Sequence, residues 1–275
     1  MSNICVIGPR SSGKTTYLAS LAYWTDQKRT GASNSFNVQP LNEDAKELAY
    51  KAENIICEGA SLAPTKVEEQ GIDALPYYSF KLEMNRRWQK PYEINLAVRD
   101  YPGEIFEELE SGASNSLHEE FINECLMRDV TGCLILLTNW TKGTDKFYKR
   151  VLERFAELMD SHDRTKDFRV AVAMSKCERG ELWPARLEPE TDLFDVHLPK
   201  TKATLQSRIP ENNLQFFAIS TFGVLRRNDP RPNRIDETAT DGKHSVLRNA
   251  SYWKPYNTIA PLYWLSSGKR MKSDA

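Results

Sequence analysis

Residues 8–15 spell Gly-Pro-Arg-Ser-Ser-Gly-Lys-Thr, an unbroken match to the pattern G-x-x-x-x-G-K-[ST]. The apolar run 4–7 precedes this match and a helix-like stretch, 16–24, follows it. Gly8 and Gly13 permit backbone angles that a Cβ would forbid, so successive N–H groups can converge on phosphate oxygens. The start of the next helix adds its dipole and its unpaired donors. The pattern therefore predicts a phosphate-binding loop that joins a strand to a helix.

The side chains of this loop predict a nucleoside triphosphate bound together with Mg²⁺. Lys14 would reach the β- and γ-phosphates as a point charge, and the Thr15 hydroxyl would ligate Mg²⁺. The other residues expected to contact the phosphates belong to the same segment, and they are Gly8, Ser11, Ser12, Gly13 and Thr16.

Composition and charge exclude several other classes of protein. The 275 residues are 40% hydrophobic and 27% charged, as in an ordinary soluble globular protein, and we expect one domain over 1–275. A net charge of −1 argues against nucleic-acid binding, and no apolar run is as long as a membrane span. Five cysteines without a C-x-x-C pair favour a reducing, cytoplasmic setting without a disulfide framework.

The spacing of apolar runs predicts the α/β class. Runs suited to buried strands alternate with helical patterns, which indicates a mostly parallel sheet covered by helices on both faces, a three-layer sandwich. The segment 77–84 connects to 92–99 by a short polar loop, so we expect a hairpin and one antiparallel edge strand. The apolar runs lie at 4–7, 94–98, 132–138, 168–174 and 214–220.

Two regions interrupt this alternation. Residues 25–76 are expected to form an insertion after the first helix, a polar loop followed by a helix with Asn42 as its N-cap and Gly59 as its stop. Residues 223–256 contain few apolar residues and are expected to form a long surface loop. A short helix near 259–265 is expected to pack back on the sheet.

A second motif follows the strand at 94–99, where the chain continues Asp100-Tyr101-Pro102-Gly103-Glu104. An acidic residue at the end of a neighbouring strand is where a further Mg²⁺ ligand belongs, which gives this role to Asp100. Gly103 would let its backbone N–H approach a γ-phosphate, a contact that disappears after hydrolysis. A strand-end Asp followed by Pro-Gly is also an ordinary turn.

Two further strand ends predict contacts with the base. One strand runs into Ser175-Lys176-Cys177-Glu178 and another into Ser220-Thr221, and open α/β sheets bind ligands at these ends. The Glu178 carboxylate could accept two parallel donors from guanine, whereas adenine offers no such pair. The alkyl stem of Lys176 would pack on the base plane.

These four motifs, in this order, resemble those of the P-loop GTPases of the translation-factor and small-GTPase type. The resemblance covers about 1–24 and 77–222, and it implies GTP or GDP with Mg²⁺ as ligands and proteins as partners. It also implies a switch threonine on Mg²⁺, for which Thr65 is our choice and Thr25 and Thr30 are the alternatives. The insertion further resembles bacterial GTPase-like domains of multi-gene conflict systems, which implies another GTPase or an effector encoded nearby.

The sequence departs from that family at two places. The guanine motif usually reads Asn/Thr-Lys-x-Asp, and Glu178 adds a methylene to its acceptor while Ser175 keeps only a hydroxyl. Glu104 stands where a Gln often orients the attacking water, so it is either a catalytic acceptor or a solvated carboxylate.

Three hypotheses about function remain open at this stage. The first is a slow, Mg²⁺-dependent GTP-hydrolysing switch in which Lys14, Gly103 and Glu104 support catalysis. The second is an ATPase or a small-molecule kinase on the same phosphate loop, to which the Arg-rich segment 223–235 could contribute. The third is a nucleotide-binding interaction module with little or no turnover, which Glu104 would permit.

Overall fold

The structure is a computed structural model that describes residues 3–23, 36–58, 75–84, 91–111, 116–138, 142–239 and 242–271. The strands are β1 (Asn3–Ile7), β2 (Phe36–Pro40), β3 (Tyr77–Met84), β4 (Tyr92–Arg99), β5 (Val130–Leu137), β6 (Arg169–Met174), β7 (Leu214–Ala218), β8 (Val224–Arg226), β9 (Asp229–Pro232), β10 (Arg234–Ala239) and β11 (Gly242–Leu247). The helices are α1 (Lys14–Tyr23), α2 (Glu43–Cys57), α3 (Gly103–Glu108), α4 (Ser116–Cys125), α5 (Lys142–Ser161), α6 (Asp195–His197), α7 (Pro199–Arg208) and α8 (Ala260–Ser267).

The centre of the molecule is a parallel sheet in the order β1-β5-β6-β7. Its apolar strands are buried on both faces. Ile4 and Val6 of β1 pack on one side with α1, α2 and α8, whereas Cys5 and Ile7 pack on the other with α3, α4, α5 and α7. This arrangement confirms the predicted three-layer α/β sandwich.

The antiparallel part of the fold is larger than predicted. We expected one antiparallel edge strand, but β2, β3 and β4 form a three-stranded antiparallel ladder, and β4 lies beside β1. The extra strand β2 falls within the region expected to be a polar loop. Its sequence Phe-Asn-Val-Gln-Pro buries only Val38 fully, and this alternation is too short to identify a strand.

The helix of the insertion agrees with the prediction. α2 begins after Asn42, whose side chain accepts a hydrogen bond from the Ala45 N–H at 3.0 Å, and its apolar face packs on α1. The helix ends at Cys57, and the expected stop, Gly59, lies outside the described residues. No helix in the described part of the chain is long and apolar enough to cross a bilayer.

The expected surface loop at 223–256 is instead folded into two antiparallel hairpins, β8–β9 and β10–β11. Leu247 and Trp253 of this segment pack into the hydrophobic core, and hydrogen bonds of polar side chains add to that packing. The amide of Asn233 donates to the Asn249 carbonyl at 3.0 Å, and its oxygen accepts from the Asn249 N–H at 2.9 Å. The loop prediction was wrong because it rested on the low number of apolar residues, whereas a few buried apolar side chains together with hydrogen bonds hold this segment.

Candidate nucleotide-binding site

The loop between β1 and α1 has the conformation that its glycines were expected to permit. Gly8 and Gly13 have φ angles of 155° and 90°, and a Cβ on Gly8 would lie 2.2 Å from the Leu136 carbonyl oxygen. The Ser12 hydroxyl is buried and has no hydrogen-bond partner among the described residues. A buried hydroxyl without a partner fits a loop in which a bound anion accepts the remaining hydrogen bonds.

Lys14 lies at the first turn of α1 with its ammonium turned back onto the loop. Its Nζ donates to the carbonyl oxygens of Gly8 at 2.8 Å and Pro9 at 3.2 Å. Burial lowers the pKa of Lys14, although the negative charges of Asp100, Glu104 and Glu107 act in the opposite direction. A buried cation surrounded by carbonyls and carboxylates is suited to an incoming phosphate.

The structure brings Thr15 and Asp100 together, although 85 positions separate them. The Thr15 hydroxyl donates to Asp100 Oδ2 at 2.8 Å, and Asp100 is only 3% exposed. Burial raises the pKa of Asp100, and the hydrogen bond from Thr15 and the charge of Lys14 oppose that shift. A hydroxyl and a carboxylate are oxygen donors of the kind that Mg²⁺ prefers, so these two residues fit the ion, with phosphate and water to complete it.

The third expected metal ligand lies outside the described residues. This holds for Thr65 and also for the alternatives Thr25 and Thr30. The assignment of the switch threonine therefore stays a prediction. Thr16, the last residue of the predicted phosphate contacts, lies in the first turn of α1.

Gly103 begins α3 and packs directly on the phosphate loop. A Cβ on Gly103 would lie 2.2 Å from the Arg10 backbone nitrogen, so only glycine fits this contact. Glu104 forms an ion pair with Arg10, with 2.9 Å between Oε1 and Nε, and Glu107 accepts the Arg10 backbone N–H at 2.7 Å. Glu107 was not among the predicted site residues. Its only signal was its place one helical turn after Glu104.

Lys176 joins the end of β6 to the phosphate loop. Its Nζ donates to the Ser11 carbonyl at 2.6 Å, and its backbone has a positive φ of 59°. Burial, assisted by the charges of Arg234 and Arg179, lowers the pKa of Lys176 to about 8. The neighbouring Ser175 donates its hydroxyl proton to the Leu137 carbonyl at 3.0 Å. Lys176, which was predicted to contact the base, therefore contacts Ser11, which was predicted to contact a phosphate.

Glu178, the expected guanine acceptor, is paired with an arginine of the segment 223–235, a contact that was not predicted. Its Oε1 lies 2.9 Å from Nη1 of Arg234 on β10. The Ser220 hydroxyl accepts the Gly223 N–H at 2.7 Å, and the Thr221 carbonyl accepts the Trp253 indole N–H at 2.9 Å. Ser220 and Thr221 therefore fix the turn that leads into the hairpins.

A cavity of about 870 Å³ opens along the outer edge of the phosphate loop. Its walls include Arg10 and Ser11 of the loop, Glu107 of α3, and Lys176 and Arg179 after β6. The volume is within the range of small-molecule sites, and both signs of charge face it. The phosphate loop, α3 and the segment after β6 therefore border a space large enough for a ligand.

The parallel sheet with its phosphate loop between β1 and α1, and with Asp100 at the end of the strand beside β1, defines a P-loop α/β fold. No protein-family model matches the sequence, and no curated protein matches it.

Solved structures with a similar arrangement of elements are distant from this chain. The signal recognition particle receptor SRb-GTP/SRX complex from Chaetomium thermophilum is 12% identical with a TM-score of 0.42, over 81% of this chain and 92% of that one. Toc33 from Arabidopsis thaliana, in complex with GDP and Mg²⁺, is 14% identical with a TM-score of 0.43, over 99% and 86%. Sup35 complexed with GMPPNP is 10% identical with a TM-score of 0.37, over 80% of this chain and 37% of that one.

Proposed function

We propose that this chain binds GTP and GDP with Mg²⁺ and hydrolyses GTP slowly, as a cytoplasmic molecular switch that acts through a protein partner. The observation that carries the proposal is the 2.8 Å hydrogen bond between Thr15 and Asp100. It joins the phosphate loop to the strand end that would sense the γ-phosphate. A phosphate loop alone implies a bound triphosphate. The contact between Thr15 and Asp100 would in addition link the bound triphosphate to α3, which follows Asp100 in the chain.

The bound ion would be held by Thr15 and Asp100, and Mg²⁺ at such a site neutralises charge that develops on phosphate oxygens. Lys14 would leave the carbonyls of Gly8 and Pro9 and donate to the β- and γ-phosphates. Catalysis of this kind is positioning and electrostatic stabilisation, and it needs no covalent intermediate.

Glu104 would act on the attacking water only after it separates from Arg10. In the structure one of its carboxylate oxygens is 2.9 Å from the Arg10 guanidinium. A carboxylate can accept a proton from water, but it lacks the amide donor of a glutamine. A slow intrinsic rate, raised by a partner that reorders α3, follows from this arrangement.

A nucleotide panel tests the proposed function. We expect GTP and GDP to bind with Mg²⁺ more tightly than ATP, measured by calorimetry, and we expect slow phosphate release from GTP. Tighter binding of ATP than of GTP would support an ATPase or a small-molecule kinase instead. If the chain releases phosphate no faster than its Lys14→Met variant, both alone and with candidate partners, the result would support a nucleotide-binding module without turnover.

Replacing Thr15 with alanine is expected to remove most of the Mg²⁺ dependence of GTP binding, because the hydroxyl bonded to Asp100 is lost. A hydrogen bond to a charged group contributes about 1.5–3 kcal/mol, so GTP affinity in Mg²⁺ should fall about 10- to 100-fold. Titration with GTP in Mg²⁺ and in EDTA measures the effect. Thr15→Ser keeps the hydroxyl and is the control. If GTP binding by the alanine variant keeps its full dependence on Mg²⁺, the assignment of Thr15 as a metal ligand would be wrong.

A further inference from the structure

A second cavity, of about 700 Å³, lies at the β8–β9 hairpin. It shares no lining residue with the cavity at the phosphate loop. The Arg-rich segment 223–235 forms part of its wall, together with residues from 183–186 and 251–256. Aromatic and cationic side chains in this wall are Trp183, Arg186, Arg226, Arg227, Tyr252 and Lys254. The cavity therefore uses a part of the molecule that the proposed nucleotide site does not use.

Two arginines of this cavity are held against aromatic rings. The guanidinium carbon of Arg186 lies 4.0 Å from the centre of the Trp183 ring and 5.2 Å from the centre of the Tyr256 ring. The guanidinium carbon of Arg226 lies 4.3 Å from the centre of the Tyr252 ring. An aromatic face attracts a cation, so these contacts restrict both side chains before a ligand arrives. Such preorganisation lowers the entropic cost of binding.

The positive charges of the cavity are not neutralised by its own wall. No lining residue is acidic, and the cavity's arginines and lysine form no ion pair with a carboxylate among the described residues. The Nε of Arg186 is buried and has no hydrogen-bond partner in the described part of the chain. Asp229, opposite Arg226 in the hairpin, accepts from Arg231 with both carboxylate oxygens, each at 2.7 Å. An excess of positive charge in a concave wall fits an anionic ligand.

Hydrogen bonds to the segment after β7 fix the base of the cavity. The Trp253 indole N–H donates to the Thr221 carbonyl at 2.9 Å. The backbones of Ser220 and Tyr256 exchange two hydrogen bonds, at 3.0 and 2.8 Å. Trp253 and Tyr256 are themselves buried. The cavity is therefore a formed part of the fold, in contrast to a gap between surface side chains.

We propose that this cavity binds an acidic peptide segment of a partner protein, in which an aromatic residue lies among glutamates or aspartates. The carboxylates would pair with Arg226 and Arg227, because the planar fork of a guanidinium matches a carboxylate. The aromatic side chain would pack on the accessible parts of Trp183 and Tyr252. The proposal holds whether or not the chain binds GTP, since the two cavities have no residue in common.

The surroundings of the cavity favour a short acidic peptide over a nucleic acid. Glu181 and Glu188 are exposed and flank Trp183 and Arg186 in the chain, and the whole chain has a net charge of −1. A nucleic acid carries a negative charge at every phosphate, so its backbone would meet these carboxylates as it leaves the cavity. A peptide carries its charges only at selected positions. A confined positive region therefore fits a short acidic segment.

Fluorescence anisotropy of a labelled peptide, Glu-Glu-Phe-Glu-Glu, titrated with the full chain at low ionic strength, tests the proposal. We expect saturable binding that weakens as salt is added, because exposed charges are screened. The peptide Lys-Lys-Phe-Lys-Lys should bind at least about tenfold more weakly, because its charges repel those of the cavity. No saturable binding of the acidic peptide, or equal binding of the two peptides, would overturn the proposal.

Competition experiments distinguish the peptide from other anions at the same place. The unlabelled acidic peptide should displace the labelled one at lower concentration than citrate or oligothymidylate does, at constant ionic strength. More effective displacement by citrate would assign the cavity to a small anion. More effective displacement by oligothymidylate would assign it to a nucleic acid, and either result would overturn the proposal.

Substitutions locate the binding on the β8–β9 hairpin. Arg226→Gln and Arg227→Gln replace exposed side chains, and the double variant should bind the acidic peptide about tenfold more weakly. Arg154→Gln is the matched control, since Arg154 forms an exposed ion pair with Glu157 at 3.0 Å on α5 and lines neither cavity. An unchanged affinity in the double variant, or an equal loss in the control, would overturn the proposal.

Two variants of Tyr252 test the positioning of Arg226. Tyr252→Ala removes the ring beside the guanidinium and should weaken peptide binding about two- to fivefold. Tyr252→Phe keeps the ring and should bind the peptide as the wild-type chain does. Urea denaturation of both variants shows whether they are folded. Equal losses of affinity in the two folded variants would overturn the role given to the ring.

Discussion

Replacing Lys14 with methionine is expected to weaken triphosphate binding by about 10- to 100-fold. Methionine keeps an unbranched chain of similar length and removes the ammonium, which is the group that would leave the Gly8 and Pro9 carbonyls for phosphate. A hydrogen bond to a charged group contributes about 1.5–3 kcal/mol, and tenfold in affinity corresponds to about 1.4 kcal/mol. Calorimetric titration with GTP and Mg²⁺ measures the loss.

The same substitution should change how the stability of the unliganded protein depends on pH. Burial lowers the pKa of Lys14, so its charged form is less favourable in the folded chain than in the unfolded chain. That penalty is full below the lowered pKa and disappears as the pH rises toward the ordinary lysine value of 10.5. Over this alkaline range, the free energy of unfolding of the wild-type protein should therefore rise relative to that of the Lys14→Met variant. Urea denaturation at several pH values measures this difference.

Lys46→Met is the control for both measurements. Lys46 lies on α2 and forms an exposed ion pair with Glu43 at 2.6 Å, away from the phosphate loop. Its replacement should change neither GTP affinity nor the pH dependence of stability, since such pairs contribute little. Equal affinities for GTP in the two variants would contradict the role given to Lys14.

The parts of the site that could be predicted from the sequence are those set by short motifs at strand ends. Thr15 and Asp100 are far apart in the chain, yet their pairing was expected because an acidic residue ending a neighbouring strand belongs beside the phosphate loop. Lys176 reached the same edge for the same reason, at the end of β6. The order of the strands and the positions of the motifs are enough to predict that these residues lie beside the phosphate loop. Side-chain packing is not needed for that prediction.

The contacts that were missed depend on geometry that the motifs do not encode. Arg234 reaches Glu178 from a hairpin with few apolar residues, in which hydrogen bonds to Asp236 hold the arginine, and its low apolar content gave no sign of a strand. Glu107 meets the Arg10 N–H only because α3 turns back over the phosphate loop. β2 was missed because one buried residue, Val38, is too weak a pattern to identify a strand.

Replacing Gly103 with alanine is expected to lower the free energy of unfolding of the unliganded protein by about 1–3 kcal/mol, the usual cost of overpacking. The added Cβ would lie 2.2 Å from the Arg10 nitrogen, 2.5 Å from its Cα and 2.6 Å from the Pro9 carbonyl carbon. These are backbone atoms, so the start of α3 must move away from the phosphate loop. Because alanine has a higher helix propensity than glycine, helix propensity alone predicts a higher free energy of unfolding for the variant. A lower free energy of unfolding would therefore indicate the close contact between Gly103 and the phosphate loop.

Glu104→Ala separates this backbone contact from the ion pair beside it. The side chains of Glu104 and Arg10 are 41% and 62% exposed, so loss of their pair should cost under about 1 kcal/mol. Urea denaturation of both variants, with and without GTP and Mg²⁺, gives the comparison. If the γ-phosphate displaces Gly103 from Arg10, the alanine at 103 costs less stability in the GTP-bound protein than in the unliganded one. An equal cost in both states would mean that the start of α3 stays on the phosphate loop throughout, and the switch would then have to lie elsewhere in the chain.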